Sequence, residues 1–270
     1  MPELPEVETV VRQLDAAVAG RRLREIEVFD EKLDEPEASA AAGTRVLGVR
    51  RVGKRVVFDL ARPRRRSADL YLVVHLRMTG RLLLHRGRIG EVRHLRAVLR
   101  LDRGRVLFVD TRRFGTMRLC GDVRELEAAV DPLDPRLDAR ALRSLIGGSP
   151  TPLKPWLMRQ DRLGGIGNIY AAEICHLARL DPRRPAGGID ARESRRLLES
   201  IRAVLEQAIE DCGTTFSDYR DSNGEEGGYA QRLAVYAREG EPCGRRGCPG
   251  TVRRIVQQQR ATFFCPRCQR

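Results

Sequence analysis

Leu4, Val7, Val11, Leu14 and Val18 recur at helical spacing, which predicts one helix over residues 4–19 that buries a single face and stops at Gly20. The pattern then becomes strand-like. The stretches "RLREIEVF", "RVLGVRRVGKRVVFDL", "DLYLVVHLRMTGRLLLH" and "LRAVLRLDRGRVLFVDTRRFGTMRL" are rich in Val, Leu and Phe, with hairpin breaks at Gly53–Lys54 and Arg103–Gly104. One helix plus a β-sandwich or barrel is expected up to about residue 120, with the charged "ARPRRRSAD" at 61–69 as an exposed connection.

From about residue 122 the spacing turns helical. "DPLDPRLDARALRSLI", "TPLKPWLMRQ" and "IGNIYAAEICHLARL" each predict a helical segment. "ARESRRLLESIRAVLEQAIEDCG" is the clearest helix, with Leu197, Leu198, Ile201, Val204, Leu205, Ala208 and Ile209 on one side and Gly213 as its cap. A loop rich in Gly, Ser and Asp follows, and no internal repeat is visible. The chain therefore reads as α+β.

Composition narrows the class. Hydrophobic residues make up 41% of the 270 positions, no apolar run approaches a membrane span, and the acidic start does not read as a signal peptide. A cytoplasmic protein is expected. Fifty Lys+Arg against 37 Asp+Glu give +13, which points to a polyanionic partner. Seven cysteines are present, and Cys243, Cys248, Cys265 and Cys268 crowd the end as C-x4-C and C-x2-C with 16 residues between the pairs. Two such knuckles joined by a hairpin-length insert suit one tetrahedral Zn²⁺, a closed structural site without an open coordination position. Residues 241–270 hold seven arginines and one acid, so the metal would staple a basic hairpin, with Arg260 expected at its turn.

Two further segments carry chemistry. In "RLGGIGNIYAAE", Gly164, Gly165, Gly167 and Asn168 open a helical stretch, either as an anion site or as a tight turn with Asn168 as N-cap. It is not the G-x-G-x-x-G of a dinucleotide fold. In "MPELPEVETV", a first-turn proline and acid suit a helix start. Removal of Met1 would also leave Pro2 as a free secondary amine beside the Glu3 carboxylate.

"PELPEVET", "HLRMTG", "DTRRFG", "LKPWLM", "GIGNIYAAE" and "QQQRATFFCPRCQ", in that order from residue 2 to residue 269, resemble the bacterial formamidopyrimidine-DNA glycosylase (Fpg/MutM) family of oxidised-purine repair enzymes. The resemblance implies an N-terminal helix and β-sandwich over 1–121, a helix–two-turns–helix domain over 122–228 and a zinc finger over 229–270. It makes Pro2 the nucleophile at C1′ of the damaged nucleotide, Glu3 the adjacent acid/base with Glu6 as helper, and Lys54 a phosphate contact that assists the leaving group. Met78, Arg112 and Phe114 would fill the gap left by the flipped lesion. Asn168 and Arg260 would pinch the flanking phosphates, and His75, Lys154 and Tyr236 would be further phosphate or active-site contacts. The 217–228 loop would be a base-capping lid whose glycines permit movement.

The implied partner is damaged double-stranded DNA, bound by a monomer in a bacterial cytoplasm, with one Zn²⁺ as the only cofactor. Two departures stand out: the first cysteine pair is C-x4-C where C-x2-C is commoner, and Thr111 replaces a usual proline. Two rivals remain: the endonuclease VIII-like branch, which prefers oxidised pyrimidines, and a non-enzymatic zinc-ribbon protein that binds damaged DNA. Leu4 and the Arg112–Phe114 wedge favour the purine branch.

Overall fold

The computed structural model describes residues 1–33, 38–122, 124 and 129–270. Contacts divide the chain into two compact units: Met1–Glu127 with Ile209–Ala230, and Ala128–Ala208 with Gln231–Arg270. The sequence-based division at 121/122 and 228/229 groups these segments differently. The 209–230 stretch packs with the first unit, and the cysteine ribbon with the helices.

The first unit opens with helix α1 (Leu4–Val18). Among the described residues eight strands follow: β1 (Leu23–Val28), β2 (Arg45–Val52), β3 (Arg55–Ala61), β4 (Leu70–His75), β5 (Gly80–His85), β6 (Leu95–Leu101), β7 (Arg105–Asp110) and β8 (Thr116–Cys120). They form two antiparallel four-stranded sheets, ordered β2-β3-β4-β8 and β1-β6-β7-β5. Side chains alternate between faces along each strand. Val56, Phe58 and Leu60 of β3 and Ala97, Leu99 and Leu101 of β6 enter one core with α1's Val7, Val10, Leu14 and Val18. Their neighbours Val57 and Val98 fall into separate small clusters on the outer faces. That two-residue period is why these segments form a sandwich and not an irregular coil.

Both expected hairpin breaks form. Val52 pairs with Arg55, leaving Gly53 and Lys54 as a two-residue turn, and Gly53 supplies the positive φ of 58° that such a turn needs at its first position.

The second unit contains α2 (Ala139–Ile146), the five-residue α3 (Leu153–Leu157), α4 (Asn168–Leu177), most of α5 (Ala191–Glu210), and the hairpin of β9 (Arg253–Gln257) and β10 (Arg260–Phe264). The first expected helical segment is shorter than its apolar spacing suggests, because Asp138 caps α2 by accepting from the Ala141 N–H. The β9–β10 ribbon has little core of its own. Val252 and Phe263 are buried together with Ala172 of α4 and Val235, which is why the ribbon belongs to the helical unit. No described helix is long and apolar enough to cross a membrane.

Candidate active site and metal centre

α1 starts with Glu3 at its N-cap and Pro2 just before it, both buried. Glu6 is only 2% exposed. Its carboxylate accepts from the Glu3 N–H at 2.7 Å through Oε2, and from the Thr214 N–H at 2.7 Å through Oε1. One side chain thus fixes the backbone of the N-terminal pair and ties it to the 213–214 segment. Gly213 makes the approach possible: its φ is +85°, and an added Cβ would lie 2.8 Å from Glu6 Cγ. This glycine was expected to cap α5, but the helix ends earlier, at Glu210. The residue serves the Glu6 contact instead. The Tyr219 hydroxyl donates to the Glu6 carbonyl at 3.3 Å.

The 217–228 loop, expected as a base-capping lid whose glycines permit movement, is tied down at several points. The Asp221 carboxylate accepts from the Asn223 and Glu225 N–H groups, both at 2.9 Å, and from Gln13 of α1 at 2.7 Å. The Ser222 carbonyl accepts from the Leu84 N–H of β5 at 2.8 Å. Residues 219–222 are therefore anchored, while Phe216, Ser217 and 223–226 are exposed.

Lys54 occupies the second turn position of the β2–β3 hairpin and is 8% exposed. Beside it, His75 ends β4 in register with Arg55. The His75 Nδ1 accepts from the Arg77 N–H at 3.0 Å, which assigns the neutral ring's proton to Nε2. Burial, reinforced by the charges of Arg77, Arg55 and Lys54, pushes His75 down to about 4. At neutral pH this ring is not the cation that a phosphate ion pair would require.

Met78 and Phe114 are 40% and 51% exposed, unusual for large apolar side chains beside a well-filled core. The Arg112 guanidinium lies over the Phe114 ring, 4.7 Å from its centroid. What holds this pair outward is Asp110, a buried carboxylate missed by sequence reasoning although it begins the quoted "DTRRFG". It accepts from the N–H groups of Arg112 at 3.2 Å, Phe114 at 2.9 Å and Gly115 at 2.7 Å, and from the Thr79 hydroxyl. Thr79 in turn accepts from the Arg112 N–H at 3.0 Å, linking the Met78 turn to the 111–114 loop. Arg113, at φ +58°, reaches back to pair with Asp30, whose carboxyl its guanidinium holds down at about 2.

In the second unit, Lys154 is 1% exposed. Its ammonium donates to Asn168 Oδ1 at 2.6 Å, Thr262 Oγ1 at 2.9 Å and the Ala261 carbonyl at 3.1 Å. The expectation of a phosphate-contacting Lys154 is thereby corrected: the side chain orients Asn168 and anchors β10. With its oxygen engaged, Asn168 turns its amide NH2 outward, donating to the Tyr236 hydroxyl at 3.4 Å. Asn168 is the first residue of α4, and Gly167 is the N-cap. The Gly165 N–H is satisfied by Gln160 Oε1 at 2.9 Å. The Gly165 N–H is therefore already engaged and is no donor for an anion.

Glu173, a second residue missed from the sequence, accepts from three successive backbone N–H groups, at Ala234, Val235 and Tyr236, over 2.8–3.0 Å. It sets the position of Tyr236 beside Asn168. Arg260 is exposed, and the hairpin turn is Gln258–Gln259, with φ of 47° and 60°; Arg260 is the first residue after it.

The four clustered cysteines converge. Their Sγ atoms all lie within 4.8 Å of one another. Cys243–Cys268 and Cys248–Cys265 stand 3.8 and 3.7 Å apart, close to the roughly 3.8 Å edge of a tetrahedron with metal–sulfur bonds of about 2.3 Å. Gly250 is needed there, since an added Cβ would sit 2.5 Å from Cys265 Sγ. The C-x4-C pair thus reaches the same cluster as the C-x2-C pair.

A buried amino-terminal pair clamped by a carboxylate, an exposed apolar wedge on a β-sandwich, and a helical unit with a basic four-cysteine ribbon define an α+β chain with the features of a nucleic-acid-processing enzyme. The family profile described as "Formamidopyrimidine-DNA glycosylase N-terminal domain" matches residues 1–117, and that of the "Formamidopyrimidine-DNA glycosylase H2TH domain" matches residues 128–219. Formamidopyrimidine-DNA glycosylases of Cereibacter sphaeroides and Novosphingobium aromaticivorans are 41% and 42% identical, each over the whole of both chains. Among solved structures, MutM (Fpg) of Thermus thermophilus aligns at a TM-score of 0.86 with 39% identity over 99% of this chain and 98% of that one. A Lactococcus lactis Fpg mutant in complex with a Fapy-dG containing DNA aligns at 0.88 with 29% identity over both full chains. The chain belongs to the formamidopyrimidine-DNA glycosylase family.

Proposed function

We propose that this chain is a bifunctional DNA glycosylase and abasic-site lyase that removes oxidised purines from duplex DNA and nicks the strand. The observation that carries the reading is the Pro2–Glu3 pair at the head of α1, clamped by Glu6, in a chain that matches the family from end to end.

Once Met1 is removed, the Pro2 nitrogen is a free secondary amine. An α-amino group titrates near 7.7–8.0 in the absence of perturbation, so a usable fraction is unprotonated at neutral pH. Its lone pair forms a bond to C1′ while the C1′–base bond breaks, the electron pair leaving with the base, which takes a proton. The proton lost by the Pro2 nitrogen passes to the Glu3 carboxylate, which delivers it to the ring oxygen as the C1′–O bond breaks and the sugar opens, giving a cationic iminium. Loss of the C2′ proton expels the 3′ phosphate, a second elimination expels the 5′ phosphate, and hydrolysis frees Pro2. Lys54 supports departure of phosphate. Met78, Phe114 and Arg112 occupy the space that the extruded nucleotide leaves, Phe as wedge and Arg as donor to the orphaned base. Asn168 and Arg260 hold the phosphates beside the lesion, with Lys154, Tyr236 and Glu173 as their supports.

Cys243, Cys248, Cys265 and Cys268 hold one structural Zn²⁺, whose task is to keep the Arg260 hairpin folded. The division into catalytic (1–121), helix–two-turns–helix (122–228) and finger (229–270) segments is retained as a division of roles, in a monomer acting in the bacterial cytoplasm.

Borohydride trapping tests the reading. It reduces the iminium to a stable amine, so the mature protein is expected to become covalently joined to a duplex with 8-oxoguanine opposite cytosine. Binding without trapping would support the non-enzymatic rival, and a strong preference for thymine glycol would move the chain to the endonuclease VIII-like branch.

A further inference from the structure

One concavity of the first unit lies away from the amino terminus. An open cavity of about 970 Å³ is formed where β1 and β2 begin, β3 ends and the 62–69 loop turns back. β3 separates it from the Lys54 hairpin: Ala61 lies at the cavity and Arg55 at the hairpin, about 20 Å apart along an extended strand. Arg22, Arg24, Arg45, Arg64, Arg65 and Arg66 line it, and all six are exposed. Among the described residues none of these six guanidinium groups is in an ion pair. Arg62, also at the rim, pairs with Asp69 at 3.2 Å, and its N–H donates to the same carboxylate at 3.0 Å. That pairing closes the loop and leaves Arg64, Arg65 and Arg66 displayed at its tip. Asp102 is the one acid in the lining, and its carboxylate accepts from the Arg103 N–H at 2.9 Å.

Six like charges around one cavity repel one another, and an anion of matching extent relieves that cost. The rest of the lining identifies the anion. It consists of Gly20, Gly43, Ala61 and Pro63, with no aromatic or large aliphatic side chain. A protein segment would be anchored by buried apolar or aromatic groups, and a single strand by aromatic stacking. Unpaired, fork-shaped guanidinium groups without such anchors suit the phosphates of a duplex, read by charge alone.

We propose that this arginine cavity binds the backbone of a second DNA duplex, so that one molecule bridges two DNA segments while the amino-terminal face engages the first. The inference rests on the proposed function only in assigning the first duplex to that face. Through such a bridge the protein would pass between neighbouring segments without release into solvent.

The test uses the full-length protein bound to a bead-held lesion duplex and offered a labelled undamaged duplex. Wild type is expected to capture the second duplex. The loop-tip triple variant R64S/R65S/R66S, outside the catalytic and wedge residues, is expected to lose at least about tenfold of that capture, with a log–log salt slope shallower by about 2–3. Its excision of a short lesion duplex is expected to be unchanged, which also reports that it folds. Retained capture in the triple variant, no capture by wild type, or displacement of the second duplex by poly-glutamate as readily as by duplex would each overturn the proposal. Failure of the proposed function reads differently: excision and trapping are then absent, while the salt slope on undamaged duplex still separates wild type from the variant.

Discussion

Glu6 and Gly213 act as one device at the residue scale. A methyl group at Gly213 meets Glu6 and would also have to adopt φ +85°, so Gly213→Ala is expected to cost about 1–3 kcal/mol in urea unfolding. Glu6→Gln replaces an acceptor for two backbone N–H groups with an amide that has one acceptor oxygen. Trapping by that variant is expected to fall roughly tenfold or more, with lesion-duplex affinity nearly unchanged, because Pro2 and Glu3 lose their fixed backbone. His75 offers a check by titration. Its folded value of about 4 lies below the ordinary His value. The unfolded chain therefore binds the proton first as pH falls, and stability declines from about pH 6.5 towards 4. An NMR titration of the ring is expected to show a midpoint well below 6.5; a midpoint near that value would contradict the burial described here.

Among the elements, the β9–β10 hairpin carries the clearest local conflict. Gln258 and Gln259 both adopt the left-handed region, which costs a non-glycine residue about 1 kcal/mol or more. A two-residue turn with both φ positive prefers Asn-Gly. Gln258→Asn with Gln259→Gly is accordingly expected to raise the thermal midpoint of the second unit. If the glutamines serve DNA, the same change is expected to weaken duplex binding in a mobility-shift titration. The helical segments show why local spacing misjudges lengths. The proline-rich 131–138 stretch has the right apolar positions for a helix, yet Asp131 and Asp134 side chains accept from nearby backbone N–H groups and hold it in turns. The sandwich strands were easier to read, since runs of Val, Leu and Phe bounded by turn residues mark them even where, as in β7, both faces are buried.

For the whole molecule, charge and metal set the expectations. With +13 and an arginine-rich ribbon, duplex affinity is expected to fall linearly and steeply in log–log plots against salt. Removal of the proposed Zn²⁺ is expected to loosen the ribbon and its packing on α4, because the four cysteines then no longer tie together the chain that carries Val252 and Phe263. Circular dichroism together with mobility shift tests this: unchanged duplex affinity after verified metal loss would separate the thiolate cluster from DNA binding.

The sequence by itself determined which residue types are available and their local order: α1 and its stop, the hairpin breaks, the cysteine knuckles, and the motifs that mark the family. These follow from periodicity, glycine conformations and spacing, all properties of neighbours along the chain. Tertiary structure alone decided which groups meet. Asp110 gathers four donors, Glu173 takes three amides, Lys154 is enclosed although lysine is usually exposed, and Arg22 and Arg45 reach the same cavity as Arg64. A buried charge is tolerated only where its partners converge in space, and no linear pattern records that convergence.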